Sequence, residues 1–194
     1  MANKEQKPRT AQELPVWKEH TRASASASVF LSDAEGRLLM VQDIDAYGGK
    51  WSPIAGFVDV AHNEEPEMAA IREAKEELGL DVRLDELIGV WHYYTEDDMQ
   101  AVAFGEENKK PDKAHMHIGY AYRGTILSGS YTMQKEEIQN YGFFTEEQFR
   151  LLLSERKIKT PQYNAVGYTL WREGIHHPLN VIQTKGRSLP AITL

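Results

Sequence analysis

The chain has 194 residues, 22 Lys and Arg against 29 Asp and Glu, a formal net charge of −7 and 41% hydrophobic residues, enough for one domain with a sizeable core and some extensions. The acidic balance argues against a nucleic-acid partner, no apolar run approaches a membrane span, and the opening MANKEQKPRT lacks a signal-peptide core. Cysteine is absent, which excludes a disulfide scaffold, thiol catalysis and cysteine-bound zinc and fits a cytoplasmic protein.

Residues 1–21 are polar and of mixed charge and read as an N-terminal arm. The run ASASASVFL from Ala23 to Leu31 predicts a strand whose alternate alanines would let another element pack closely. Asp33 to Gly36 reads as a hairpin turn and Arg37 to Asp43 as the returning strand. A loop at Tyr47 to Lys50 leads to a short strand within Trp51 to Val60, broken by Pro53 and Gly56. Pro66 to Leu78 is the clearest helix, opened by Asn63 and Pro66 and closed by Gly79. Further strands are predicted at Leu87–Tyr94, His115–Arg123, Ser128–Met133 and Tyr141–Phe144. The polar stretch Thr95 to Ala114 is long for a connection and has the length of a lid. Thr145 caps a helix over Glu146–Ser154 in the pattern T-E-E-Q, and a last helix spans Tyr163–Arg172. The order is α+β, divided into an arm at 1–21, a domain at 22–155, and a C-terminal helix and tail at 156–194. Trp17, Tyr163, Tyr168, Leu170 and Trp171 need apolar partners, which a homodimer interface or the chain's own core would supply.

On a helix over Pro66 to Leu78, Ile71, Ala74 and Leu78 form an apolar stripe with Met68 at its edge. Glu73, Glu76 and Glu77 fall within roughly 100° of one another on the other side. Three carboxylates at i, i+3 and i+4 repel, and Arg72, four residues before Glu76, offsets part of that. Such a face is either solvated or a site for a hard divalent cation, which takes oxygen ligands and keeps several waters.

The wider pattern separates these two. Gly56 and Glu64 precede Arg72-Glu73-Ala74-Lys75-Glu76-Glu77-Leu78-Gly79-Leu80. This resembles the box of the Nudix (MutT-like) hydrolase superfamily, G-x5-E-x7-R-E-U-x-E-E-x-G-U, with U a bulky aliphatic. Glu64, Arg72, Glu73, Glu76, Glu77, Gly79 and Leu80 match in register, which by average residue usage arises by chance on the order of a few times in a million. Ala74 stands at an aliphatic position, and Gly56 and Glu64 are separated by seven residues, FVDVAHN, in place of five. The resemblance also takes in WSPIAG ahead of the box and YGFFTEEQFRLLL after the last strand, and covers roughly residues 22–155.

The resemblance implies a Nudix α/β/α sandwich with a mixed sheet, in which the box is a loop–helix–loop. It implies a hydrolase that cleaves the diphosphate of a nucleoside diphosphate linked to another moiety, with Mg²⁺ or Mn²⁺ as cofactor and a small nucleotide as partner. Glu76 and Glu77 would be metal ligands, Glu73 a ligand or the general base, and Glu64 a secondary ligand. Arg72 would orient these carboxylates, so that Glu73, Arg72 and Glu76 form the catalytic group, and Gly56 and Gly79 would be structural. Some members take their base from a loop outside the box, and Glu96, Asp97, Asp98, Glu106 and Glu107 are such candidates here. The alternative is an inactive Nudix-like nucleotide sensor. His115 and His117 share a strand face and read as sheet residues or substrate contacts; Trp91, Tyr93 and Tyr94 read as core or as base-stacking rings; Lys109-Lys110 and His176-His177 read as solvated.

Overall fold

The computed structural model describes residues 24–95 and 115–181. The arm, residues 96–114 with their candidate carboxylates and lysines, and the tail beyond 181 lie outside the described residues.

Two small sheets are sandwiched between helices. The strands are Ser24–Phe30 (β1), Leu38–Asp43 (β2), Trp51–Ser52 (β3), Ile54–Phe57 (β4), Leu80–Thr95 (β5), His115–Gly129 (β6) and Ile138–Phe144 (β7). The helices are Pro66–Leu78 (α1), Glu146–Ser154 (α2) and Pro161–Glu173 (α3). One sheet has the order β4-β1-β6-β5, with β1 and β6 parallel and its other pairs antiparallel, so it is mixed. The other, β3-β2-β7, is antiparallel.

Strand alternation sends successive side chains to opposite faces, and here both faces are covered. Ala27, Val29, Leu39 and Val41 enter one core cluster, where Ala69, Ala70, Ala74 and Leu78 of α1 meet them. Phe30, Leu38 and Met40 enter a second cluster, closed by Phe149 of α2 and by Tyr168 and Trp171 of α3. This is the α+β architecture expected, and it explains why β2 reads as an unbroken apolar run. The small residues of β1 act as predicted: Ala27 is fully buried beneath the alanines of α1, so the box helix lies close on the sheet.

Several boundaries differ from expectation. The turn at Asp33 to Gly36 forms, with Gly36 at φ +73 and its N–H bonded to Asp33 O at 3.1 Å. Pairing nevertheless stops after a Ser32–Leu38 bridge, because both edges of β1 are taken by β4 and β6. The chain thus turns a corner between sheets where a hairpin was expected. Gly56 does not interrupt its strand; it pairs with Ala27. The residue before α1 is Glu65, in extended conformation, whereas Asn63 sits in the loop at φ +57. Leu80 pairs with Gly129, so β5 starts directly after Gly79 and β6 runs to 129, leaving no separate strand at 130–133. Tyr168 and Trp171, for which a homodimer was one destination, are buried within the chain itself.

Candidate active site

Helix α1 is cut to length by its ends. Pro66 lies in its first turn, where no amide hydrogen is needed, and Gly79 takes the left-handed conformation at φ +67, its N–H returning to Lys75 O at 2.9 Å. The helix thereby sets Arg72, Glu73, Glu76 and Glu77 beside the loop that follows β4.

The three carboxylates do not form one solvated face. Glu76 keeps 49% of its side-chain exposure, but Glu73 and Glu77 are buried, at 8% and 4%. Glu73 lies against the backbone of β4: a Cβ on Gly56 would fall 1.8 Å from its Oε1. Gly56 is therefore required by close approach, not by a turn. The Ala55 peptide faces the Glu77 carboxylate, whose Oε2 is buried with no hydrogen-bond partner.

Arg72 ties the group together. Its Nε donates to Glu64 Oε1 at 2.7 Å, and its Nη1 donates to Glu73 Oε1 at 2.6 Å and to Glu76 Oε2 at 2.7 Å. Its Nη2 donates to Phe57 O at 2.9 Å and to Glu64 Oε2 at 3.1 Å. One guanidinium thus fixes three carboxylates and the backbone at the end of β4, which its planar fork of donors suits. The two additional residues between Gly56 and Glu64 are absorbed in a local turn. Asp59 Oδ1 accepts from the amides of Ala61 and His62, its Oδ2 meets His62 Nδ1 at 2.6 Å, and its own N–H donates to Glu64 Oε2 at 2.8 Å. Glu64 still reaches Arg72, with both its oxygens engaged by these bonds.

The electrostatics follow from burial and from this sharing. The Arg72 bond holds Glu64 below the ordinary glutamate range. Burial pushes Glu73 up, against the pull of Arg72. Burial pushes Glu77 up strongly, and the neighbouring Glu73 charge adds to that. Two buried carboxylates whose ionisation burial disfavours, with the Glu73 charge opposing that of Glu77 as well, make a site that gains from a cation. Among the described residues no three ligand-type side chains already converge on one point. The donor set nonetheless suits a hard ion that retains waters: all-oxygen, with Glu77 Oε2 unpartnered and Glu73 beside it.

Three charged residues that sequence patterning did not single out join this cluster. Asp43, at the end of β2, is buried and pairs with Lys159 Nζ at 2.7 Å, and both charges act on Glu77. Glu137, next to β7, acts on Glu73. Their one sequence signal is Asp43, a carboxylate closing the buried run LLMVQ; Lys159 and Glu137 look like ordinary surface charges.

Other candidates are placed elsewhere. His117 is a sheet residue: Ser24 and Ser26 hydroxyls meet its ring nitrogens at 2.6 and 2.8 Å. The side chains of His115, Tyr93 and Tyr94 lie outside the described residues. Trp91 stacks on Tyr163 of α3 at 6.2 Å between centroids. His176 pairs with Glu86 at 2.8 Å, and His177 bridges Leu87, so this pair is not merely solvated.

Residues 22–165 match the NUDIX domain family, and the chain belongs to it. No curated protein matches the sequence. Among solved structures, a NUDIX hydrolase from Nitrosomonas europaea is similar at TM-score 0.64 and 17% identity, over 84% of this chain and 97% of that one. An ADP-ribose pyrophosphatase from Streptococcus suis is similar at TM-score 0.51 and 18% identity, over 78% and 93%. A UDP-X diphosphatase is similar at TM-score 0.55 and 17% identity, over 88% and 75%. At these identities the likeness is one of fold. Among the described residues no helix is long and apolar enough to cross a membrane.

Proposed function

We propose that the protein is a divalent-metal-dependent hydrolase that cleaves the diphosphate of a nucleoside diphosphate linked to another group. The observation that carries this is the Glu73–Glu77 pair: two buried carboxylates, Glu73 set against the Gly56 backbone and Glu77 with an oxygen that no donor satisfies. An acidic site receives an anionic substrate only through cations. Glu73 and Glu77 would hold the ion, with Glu76 approaching from the exposed side and Glu64 a further candidate. Bound there, Mg²⁺ or Mn²⁺ would neutralise phosphate charge and lower the pKa of the attacking water.

The chain's own residues supply the rest. Water attacks a phosphorus of the diphosphate, the bridging P–O bond breaks, and two phosphorylated fragments leave while a carboxylate takes the water's proton. Glu73, beside Gly56 and steered by Arg72, is the leading base among the described residues. Arg72 holds Glu64, Glu73 and Glu76 in position and does not touch substrate. Gly79 ends the helix so that Glu76 and Glu77 fall in its last turn.

The printed activities of two structural neighbours put ADP-ribose-like compounds and nucleotide sugars first in a substrate panel. The partner is a small nucleotide, with neither nucleic acid nor membrane involved, and the location is cytoplasmic. The test is hydrolysis of nucleotide sugars, ADP-ribose, dinucleoside polyphosphates and NTPs with Mg²⁺, scored by release of phosphate and nucleoside monophosphate. Turnover of at least one compound that stops in excess EDTA is expected. Nucleotide binding without turnover would favour the sensor alternative.

A further inference from the structure

The link between α2 and α3 is held more tightly than a connection needs to be. Trp51 N–H donates to Lys157 O and Lys159 N–H to Trp51 O, each at 2.8 Å, so residues 157–159 add a parallel rung to β3. Ile158 is buried between them. Buried Asn164 donates from Nδ2 to Lys159 O and to Thr160 Oγ1. The link also carries two left-handed residues, Arg156 at φ +58 and Thr160 at φ +41. For a β-branched side chain that conformation is strained and persists only where its surroundings impose it.

The residue so fixed is Lys159. Its Nζ lies 2.7 Å from Asp43 Oδ2; the Asp43 side chain is 8% exposed and that of Lys159 46%. The contact with Asp43 is an ion pair, and an ammonium with three donors retains capacity for a further acceptor. Lys159 thus presents a half-exposed cation beside Asp43, and both charges act on Glu77. A counter-ion for Asp43 alone requires neither a strained Thr160 nor a backbone clamped at both peptide groups.

We propose that Lys159 contacts the substrate, its ammonium binding a phosphoryl oxygen of the diphosphate while Asp43 fixes its position beside Glu77. The proposal rests on the functional reading above and adds a phosphate contact that comes from outside the box. A lysine suits this role as a compact point charge that can bridge Asp43 and a phosphoryl oxygen.

The test measures kcat and KM at saturating Mg²⁺, on the best substrate of the panel, for wild type, Lys159→Arg, Lys159→Met and the double variant Asp43→Asn/Lys159→Met. Lys159→Met is expected to raise KM about tenfold and to lower kcat/KM by about 10- to 100-fold, the size of a lost charge-assisted hydrogen bond. Lys159→Arg keeps the charge and should stay within a few-fold of wild type. Lys159→Met strands a buried carboxylate and risks the fold, whereas the double variant does not. The double variant is therefore expected to melt near wild type yet remain as impaired as Lys159→Met. Recovery of wild-type kcat/KM in the double variant overturns the proposal, because Lys159 would then serve Asp43 alone. Wild-type kinetics in a folded Lys159→Met protein overturn it too. Absence of metal-dependent turnover in wild type overturns the functional reading along with it, so the two failures are distinct.

Discussion

Gly56 and Arg72 show how little freedom the site's individual residues have. A methyl group at position 56 would overlap the Glu73 carboxylate, so Gly56→Ala should displace Glu73 and cut kcat about 10²-fold, at a stability cost of about 1–3 kcal/mol; steady-state kinetics and a thermal melt measure both. Arg72→Ala removes the donors to Glu64, Glu73 and Glu76 together. Because Arg72 is partly exposed, a loss of about 2 kcal/mol is expected by urea unfolding. Glu77 gives a pH signature. Its carboxyl is raised by burial and then by Glu73, so the folded chain keeps a proton that the unfolded chain releases. That stabilisation is complete below the ordinary glutamate pKa and is lost as pH rises through the folded one. In EDTA the wild-type Tm should therefore fall across that window relative to Glu77→Gln, and parallel pH profiles for the two would contradict the assignment. Glu64 runs the other way: Arg72 lowers it, so its contribution is present at neutral pH and is lost on acidification through its folded pKa. At this scale the sequence was legible where spacing carries identity, as at Arg72, Glu73, Glu76 and Glu77. It was silent on Lys159 and Glu137 and gave only a faint signal at Asp43, because all three reach the cluster through tertiary contacts.

Local chemistry settles the helices, and crowding between elements settles the strands. Pro66, Gly79 and the capping box of Thr145 and Gln148 set the bounds of α1 and α2 where the sequence puts them. Thr145→Ala should cost about 1 kcal/mol in a thermal melt. Strand ends were less legible because pairing partners decide them: β1 has both edges filled and so releases β2 to a second sheet. The burial of Glu73 and Glu77 has the same origin. A helical wheel places them opposite the apolar stripe, but β4 comes so close at Gly56 that part of the polar face is covered as well. Helix α3 belongs to the second core through Tyr168 and Trp171, with Tyr168 stacked on Phe149 at 4.1 Å. Trp171→Ala should destabilise by about 3–5 kcal/mol, read from urea unfolding, by opening a cavity against Phe30.

For the whole molecule, net acidity and the anionic substrate proposed for it are reconciled at one place. The chain carries a formal charge of −7, and it concentrates carboxylates where α1 meets β4 and the end of β2, with Arg72 and Lys159 among them. A cation bound there relieves the repulsion between Glu73 and Glu77, so saturating Mg²⁺ should raise Tm by the equivalent of about 2–3 kcal/mol at a hundredfold excess over Kd. The most direct measurement of the central claim compares hydrolysis of the best nucleotide substrate by wild type and Glu77→Gln, each with Mg²⁺ and with excess EDTA, on protein shown to be folded. The account predicts that EDTA abolishes wild-type turnover and that Glu77→Gln lowers kcat about 10²-fold or more with its fold intact. Full turnover in EDTA, or wild-type kcat in folded Glu77→Gln, would contradict it.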